Sequence, residues 1–398
     1  MKIFSGLITG LFLFFVGPVR GFAQNHDSLK YHIAVFLPLY LDSAFDASGN
    51  YRFDQSFPKY LNPGLEFYEG LELAMDSLNR KATSLSITVY DTRNTKKSIQ
   101  QMVDEPAFSS MQLILGYVNS ADLHVLANVA KNREIPFINV NFPNDGAITG
   151  NPEYVILNST LRSHCEALYK FVQRNWATSN IFYVRRSTQD DDRLRSYFSE
   201  IEKNTSSVPL KMKIVNIDNT QNISQVTSLM DSNSKTVILV GSLDENFGRI
   251  ICSKLQPFSK SYPMKILGMP TWDAITDFNA PAYTDLEIYY TTPFYLNPAD
   301  SLVAQIQQNY KTRFYSRPSD MVYRGYETTL HFGQLLEANN GHLDGSVGER
   351  KFKVFNDFDI QPVFSLNSSP GQPPTLQYLE NKKLHILKKV NGNVVAVY

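Results

Sequence analysis

Cysteine is nearly absent from this chain. Cys165 and Cys252 are the only two in 398 residues, too sparse for a disulfide scaffold and not a spaced metal or redox pair. The seven histidines are scattered and lack the helical pairing that places two imidazoles around one metal ion. No Gly-x-Gly-x-x-Gly follows the first apolar run, and neither a Gly-x-Ser-x-Gly elbow nor a phosphate loop occurs, so no enzyme signature of these kinds is present. Net charge is also missing. Lys+Arg and Asp+Glu stand at 38 each, leaving no field that favours nucleic acid or an acidic membrane. No long apolar run occurs after Val16, so no membrane span is expected in the mature chain. Tryptophan is rare, at 2, whereas Tyr 22 and Phe 26 make the chain aromatic-rich. That composition suits a sugar or aromatic-ligand cleft, and more readily an ordinary core.

The N-terminus reads as an address. Lys2 precedes an apolar run from Ile3 to Val16, Gly17-Pro18 breaks it, and Gly21-Phe22-Ala23 stands before Gln24. A basic start, a short apolar core and small residues at the end describe a secretory signal peptide over 1–23. A retained anchor is the competing reading, although the run falls short of the roughly 20 residues a span needs. No cysteine follows the cut, which argues against a lipid-modified N-terminus. The mature protein is expected in the periplasm or secreted.

Beyond the leader, strand-like and helix-like segments alternate. Apolar Leu113-Ile114-Leu115 runs into Gly116-Tyr117-Val118-Asn119-Ser120, a helix then buries Leu123, Leu126, Ala127 and Ala130, and Ile135 to Val140 opens the next strand. Short apolar runs bounded by turns suit strands covered on both faces. Ligands of open parallel sheets sit outside the carboxyl ends of the strands, so Gly116 to Ser120 and Asn139 to Asn144 are placed on one rim. Both segments are rich in Asn, Ser and backbone amides and contain no catalytic dyad. A second series starts after Tyr154, with a helix over His164–Trp176 on which Cys165 shares a face with Leu168, Tyr169 and Val172. It continues with a strand at Ile181–Val184, a strand over Leu210–Ile217, a helix over 222–231, and strands at Val237–Val240 and Met264–Leu267. Helices over 299–315 and Ser319–Ala338 follow. Such alternation in two series predicts an α/β chain of two lobes with mostly parallel sheets. In the proline-rich tail, apolar runs flanking Asn391-Gly392 signal a hairpin.

The order of these segments resembles the type I periplasmic binding proteins, the leucine/isoleucine/valine-binding branch of the bacterial solute receptors. "HIAVFLPLY" and "GLEFYEGLELAMDSLN" look like that family's opening strand and first helix, and "ITVYDTRNT" like its second strand. "LILGYVNSADLHVLANVAKNREIPFINV" is similar to its ligand-receiving segment and the strand after it. "MVYRGYETTLHFGQLLEA" is similar to its late helix, with Glu327 where Asp is usual. The resemblance covers about residues 31–340.

It implies two Rossmann-like lobes joined by a hinge. The expected division is 24–157 plus 288–345 for lobe one, and 158–287 plus 346–398, with the hairpin, for lobe two. It also implies capture of a small polar, by default amino-acid-like, solute by hinge closure, and delivery to an ABC permease, with no enzymatic step and no cofactor or metal. The same fold used as a sensor, or as an envelope interaction protein regulating cell-wall synthesis, is the alternative. By this resemblance Ser120 is placed where a ligand carboxylate is received, beside Tyr117 and Asn119, with helix capping as the competing role. Asn139, Asn141 and Asn144 fall on the next strand end, where turn formation competes. In lobe two Arg185, Ser242, Asp244 and Trp272 follow strands, Asp244 being also a candidate helix N-cap, and Tyr326 is expected near the hinge side. The long link from Leu41 to Pro63 is expected to lid the cleft or dock a partner.

Overall fold

A computed structural model describes residues 30–53, 56–81, 83–218, 223–365 and 373–397. The expected leader lies outside the described residues. Among them, no helix is long and apolar enough to cross a membrane.

The chain first builds β1 (Tyr31–Leu37), α1 (Leu41–Ala44), α2 (Asn62–Arg80), β2 (Leu85–Asp91), α3 (Ile99–Val103), β3 (Leu113–Gly116), α4 (Ser120–Arg133), β4 (Phe137–Asn139) and β5 (Tyr154–Ile156). It then crosses over to α5 (Leu161–Trp176), β6 (Asn180–Arg185), α6 (Gln189–Asn204), β7 (Met212–Asn216), α7 (Ser224–Thr227), β8 (Thr236–Val240), α8 (Glu245–Leu255), β9 (Met264–Leu267) and β10 (Glu287–Thr292). It returns for α9 (Ser301–Phe314), α10 (Asp320–Ala338), β11 (Ile360–Phe364) and β12 (Leu376–Asn381), and crosses a last time to β13 (His385–Val390) and β14 (Asn393–Ala396).

Two seven-stranded sheets result, in the orders β11-β12-β5-β4-β3-β1-β2 and β14-β13-β10-β9-β8-β6-β7. Pairing is parallel except where β11, β13 and β14 join. Alternate residues of each central strand feed opposite cores, as the two-residue period of a strand requires. Ile33, Val35 and Leu37 face α2, α9 and α10, while Ala34 and Phe36 face α3 and α4. In the second lobe Phe182 and Val184 face α8, and Ile181 and Tyr183 face α5 and α6. Both cysteines are buried free thiols.

The strand order reverses between β1 and β3, and again between β6 and β8. Those are the switch points at which doubly wound sheets open a crevice. The link after β1 is pinned there by Asp91, whose carboxylate accepts the backbone N–H groups of Leu39, Tyr40 and Leu41 at 3.0, 3.1 and 2.8 Å.

Three expectations change. Residues 288–292, assigned to lobe one, lie in the second sheet, because Ile288 pairs in parallel register with Ile266 of β9. The tail, assigned whole to lobe two, is shared: β12 pairs with β5 through Leu379 and Val155, and only β13 and β14 complete the second sheet. The reason is coverage, since β5 is buried along its whole length and needs a neighbour for its outer edge. Of the helix expected over 222–231, the described residues 223–231 form a single turn at Ser224–Thr227. The hairpin at Asn391-Gly392 forms with both turn residues at positive φ, 52 and 71°, the conformation that Asn-Gly favours.

The three crossings are tied to one another. Glu380, at the end of β12, accepts from Thr160 N–H, Thr160 Oγ1, Ser163 Oγ and Lys382 Nζ. Ser159 Oγ donates to Asn381 O at 2.6 Å. Asn356 joins the β10–α9 crossing to the β12–β13 crossing, its Oδ1 accepting Tyr295 N–H at 2.9 Å and lying 3.0 Å from His385 Nε2. Its Nδ2 donates to Glu327 at 2.8 Å. That contact fixes which way the amide points, so His385 must donate from Nε2.

Candidate functional site

A cavity of about 330 Å³ lies between the lobes beside the β10–α9 crossing, at the small end of ligand-pocket sizes. Lobe two contributes Asp273, Tyr290 and Lys389, and lobe one contributes Asp320, Arg324 and Glu327 from the first two turns of α10. Glycines explain how α10 comes to lie there. A Cβ on Gly70 of α2 would stand 2.0 Å from Val322 O, and one on Gly325 would stand 2.1 Å from Phe67 O. Only glycine permits this backbone-to-backbone approach. Ser319 caps the helix at Met321 N–H.

Glu327 and Lys389 are buried, Arg324 is half-buried, and Asp273 and Asp320 are exposed at the cavity mouth. The Arg324 guanidinium carbon stands over the Phe294 ring, 4.1 Å from its centroid, and Nε is buried with no hydrogen-bond partner. Burial lowers its pKa against the opposing influence of Asp320, Tyr117, Asp273 and Glu327. Lys389 Nζ donates to Ile275 O at 2.9 Å, and burial lowers its pKa too. Burial pushes the Glu327 carboxyl up to about 7, against N–H groups of Asn356 and Phe355 that favour the charged form. The Tyr290 hydroxyl is raised by burial and by neighbouring Asp273.

The residues singled out from the sequence fall into separate places. Tyr117 sits beside this cavity, packed on Phe67 at 6.3 Å and close enough to Arg324 for the cation to act on its hydroxyl. Asn119 is the N-cap of α4, accepting Asp122 N–H at 2.9 Å, and Ser120 is the exposed first helical residue. Asn139 is fully buried. It donates to Phe142 O and Tyr154 Oη and accepts the N–H groups of Phe142 and Asn141. Asn141 bonds both N–H and C=O of Val118, stitching the two strand ends together. Asn144 closes a turn on Gly146 N–H. In these positions the amides hold backbone.

Across the gap, Arg185 pairs with Asp192 and donates to Arg186 O. Asp244 caps α8 through Asn246 and Phe247 N–H and also accepts from Arg186 Nη1 at 2.7 Å. Ser242 accepts from the same guanidinium at 3.1 Å. Trp272 is fully buried against Gly248 and Gly268, in the core rather than the cleft. Tyr326 faces α2, with its hydroxyl 3.1 Å from Ser77 Oγ. Sequence reading missed Arg186, Asp273, Arg324 and Lys389. The one available signal was Arg324, the single Lys or Arg of α10, directly before Gly325.

The described residues of the link after β1 are held by local contacts. Asp42 accepts Thr95 N–H and Oγ1 at 2.8 Å, and Phe45 bridges to Tyr51. Phe45, Tyr51, Phe57 and Tyr60 are nevertheless between 37 and 48% exposed, an aromatic patch rather than a core.

A family model described as periplasmic binding protein matches residues 62–347. Among solved structures, a Rhodospirillum rubrum protein described as a branched-chain amino acid ABC transporter aligns with TM-score 0.65 at 14% identity, over 93% of this chain and 100% of that one. A branched-chain amino acid ABC transporter periplasmic ligand-binding protein from Burkholderia xenovorans gives 0.59 at 13%, over 93% and 95%. LpoA from Haemophilus influenzae gives 0.57 at 14%, over 93% of this chain and 59% of its own length. No curated protein sequence matches. At these identities the solved structures share the fold with this chain.

Proposed function

The chain belongs to the periplasmic binding protein family, and on that premise we propose that it is an extracytoplasmic receptor for a small polar solute, which it hands to an ABC permease without altering it chemically. The observation that carries this reading is the cavity lined by both lobes beside a hinge crossing. A solute touching Arg324 on one side and Lys389 on the other gains contacts only when the lobes are together. Its differential affinity for that arrangement then drives closure, each tenfold preference supplying about 1.4 kcal/mol. The secretory leader read over 1–23 delivers the chain to the compartment where such receptors act. The two native thiols are buried with raised pKa values, which suits a binding role better than thiol chemistry. Calorimetric titration of the mature chain with amino acids, amides, short peptides and sugars tests the proposal. A saturable heat with one class supports it, and no heat with any refutes it.

A second reading draws on the aromatic patch at 45–60. Exposed clustered aromatics characterise protein-binding surfaces, and an envelope interaction protein would use such a patch without needing a solute. Deleting 46–57 separates the two. Loss of partner capture with solute binding intact favours docking, and loss of solute binding favours a lid.

A further inference from the structure

We propose that Arg324 is the carboxylate anchor of the inter-lobe cavity, so that the solute carries a carboxylate group. This deepens the receptor reading and rests on it.

A buried guanidinium nitrogen without a partner keeps the full cost of leaving water, with nothing to offset it. Arg324 Nε is in that state. No ion pair joins the guanidinium to a carboxylate among the described residues, although Asp273, Asp320 and Glu327 line the same cavity. Glu327 spends both carboxylate oxygens on Phe355 and Asn356. The Phe294 ring lies under the guanidinium carbon, and with Nε enclosed it is the terminal pair, Nη1 and Nη2 of a half-buried residue lining the cavity, that offers a fork of N–H donors to an acceptor. A carboxylate matches that fork in bidentate geometry. The second cation, Lys389, comes from the other lobe, so an anion between the two is shared across the hinge. Asp273 and Asp320 limit how much negative charge the cavity accepts. A carboxylate monoanion is therefore favoured over a phosphate dianion, and the two acids remain available to a cationic or hydroxyl group on the same solute. The anchor differs from Ser120, which is exposed at the start of α4.

Calorimetry on the mature chain with short carboxylic acids, each beside its primary amide, and with inorganic phosphate, decides the matter. At least one acid is expected to bind saturably and at least tenfold more tightly than its amide and than phosphate. Arg324→Gln is expected to lose at least tenfold affinity for that acid, with Arg324→Lys in between. Equal binding of acid and amide, preference for phosphate, or an unchanged Arg324→Gln overturns the anchor. A neutral sugar or amide binding in place of acids overturns the anchor alone and leaves the receptor reading standing. No binding by any probe overturns both. The acid-against-amide comparison needs no variant, so it stands even if Arg324→Gln does not fold.

Discussion

Replacing Gly325 by alanine should loosen the helix pair that places Arg324. An added Cβ would stand 2.1 Å from Phe67 O, 3.0 Å from its carbonyl carbon and 3.1 Å from its Cα. All three are backbone atoms, so no rotamer change relieves the clash and the helices must part by about an ångström. Overpacking of this kind costs roughly 1–3 kcal/mol, and with backbone on both sides the upper end applies. Alanine recovers about 1 kcal/mol of helix propensity, leaving a net loss of about 2 kcal/mol. Gly333, two turns further along α10, is the internal control. There the added Cβ meets Leu85 Cδ1 at 2.9 Å and Leu78 Cδ1 at 3.3 Å, flexible side-chain ends that can yield. The same propensity gain should leave Gly333→Ala within about 1 kcal/mol of the parent. Urea denaturation of the two variants tests the difference. Equal stabilities would refute the claim that α2 and α10 dock through their backbones.

Two further predictions follow from buried carboxylates. Asp91→Ala removes the acceptor of three consecutive N–H groups, including that of Tyr40, held at φ 55°. Amide exchange at 39–41 should accelerate by at least tenfold, and unchanged exchange would contradict the pinning role. Glu327 has a folded-state pKa of about 7, above its unfolded value, so the folded state holds the extra proton and stability from this group falls as pH rises from about 4.5 to 7. The stability of the parent minus that of Glu327→Gln should decline over that window and level off above it. A flat difference, or a rising one, would sink the assignment.

Much of the fold was legible because its carriers are local. The run Leu113 to Leu115 before Gly116, and Asn391-Gly392 between apolar runs, each specify their own element through periodicity or turn chemistry. Membership of a sheet is a long-range property. Nothing within Leu376–Asn381 says that it pairs with Val155 rather than with its neighbour β13, and Pro362 disguised β11, which tolerates it as an edge strand. The site was harder still. Asn139, Asn141 and Asp244 were selected as polar groups at strand ends, yet the same short side chains reach nearby backbone, and in the structure they do so. Arg324 and Lys389 meet only after two lobes and three crossings are in place, a juxtaposition with no one-dimensional signature. The expected cleft position for Trp272 failed because Gly248 and Gly268 open a slot that draws the indole into the core.

The most direct test of the central claim is the distance between the lobes with and without solute. Spin labels at Lys131→Cys in α4 and Lys203→Cys in α6, both exposed positions, can be read by pulsed electron resonance, since both native thiols are buried. A saturating carboxylate solute is expected to narrow and shift the distance distribution, and the shift is expected to be lost in Arg324→Gln. A bound solute that leaves the distribution of the parent unchanged would contradict closure around a guest.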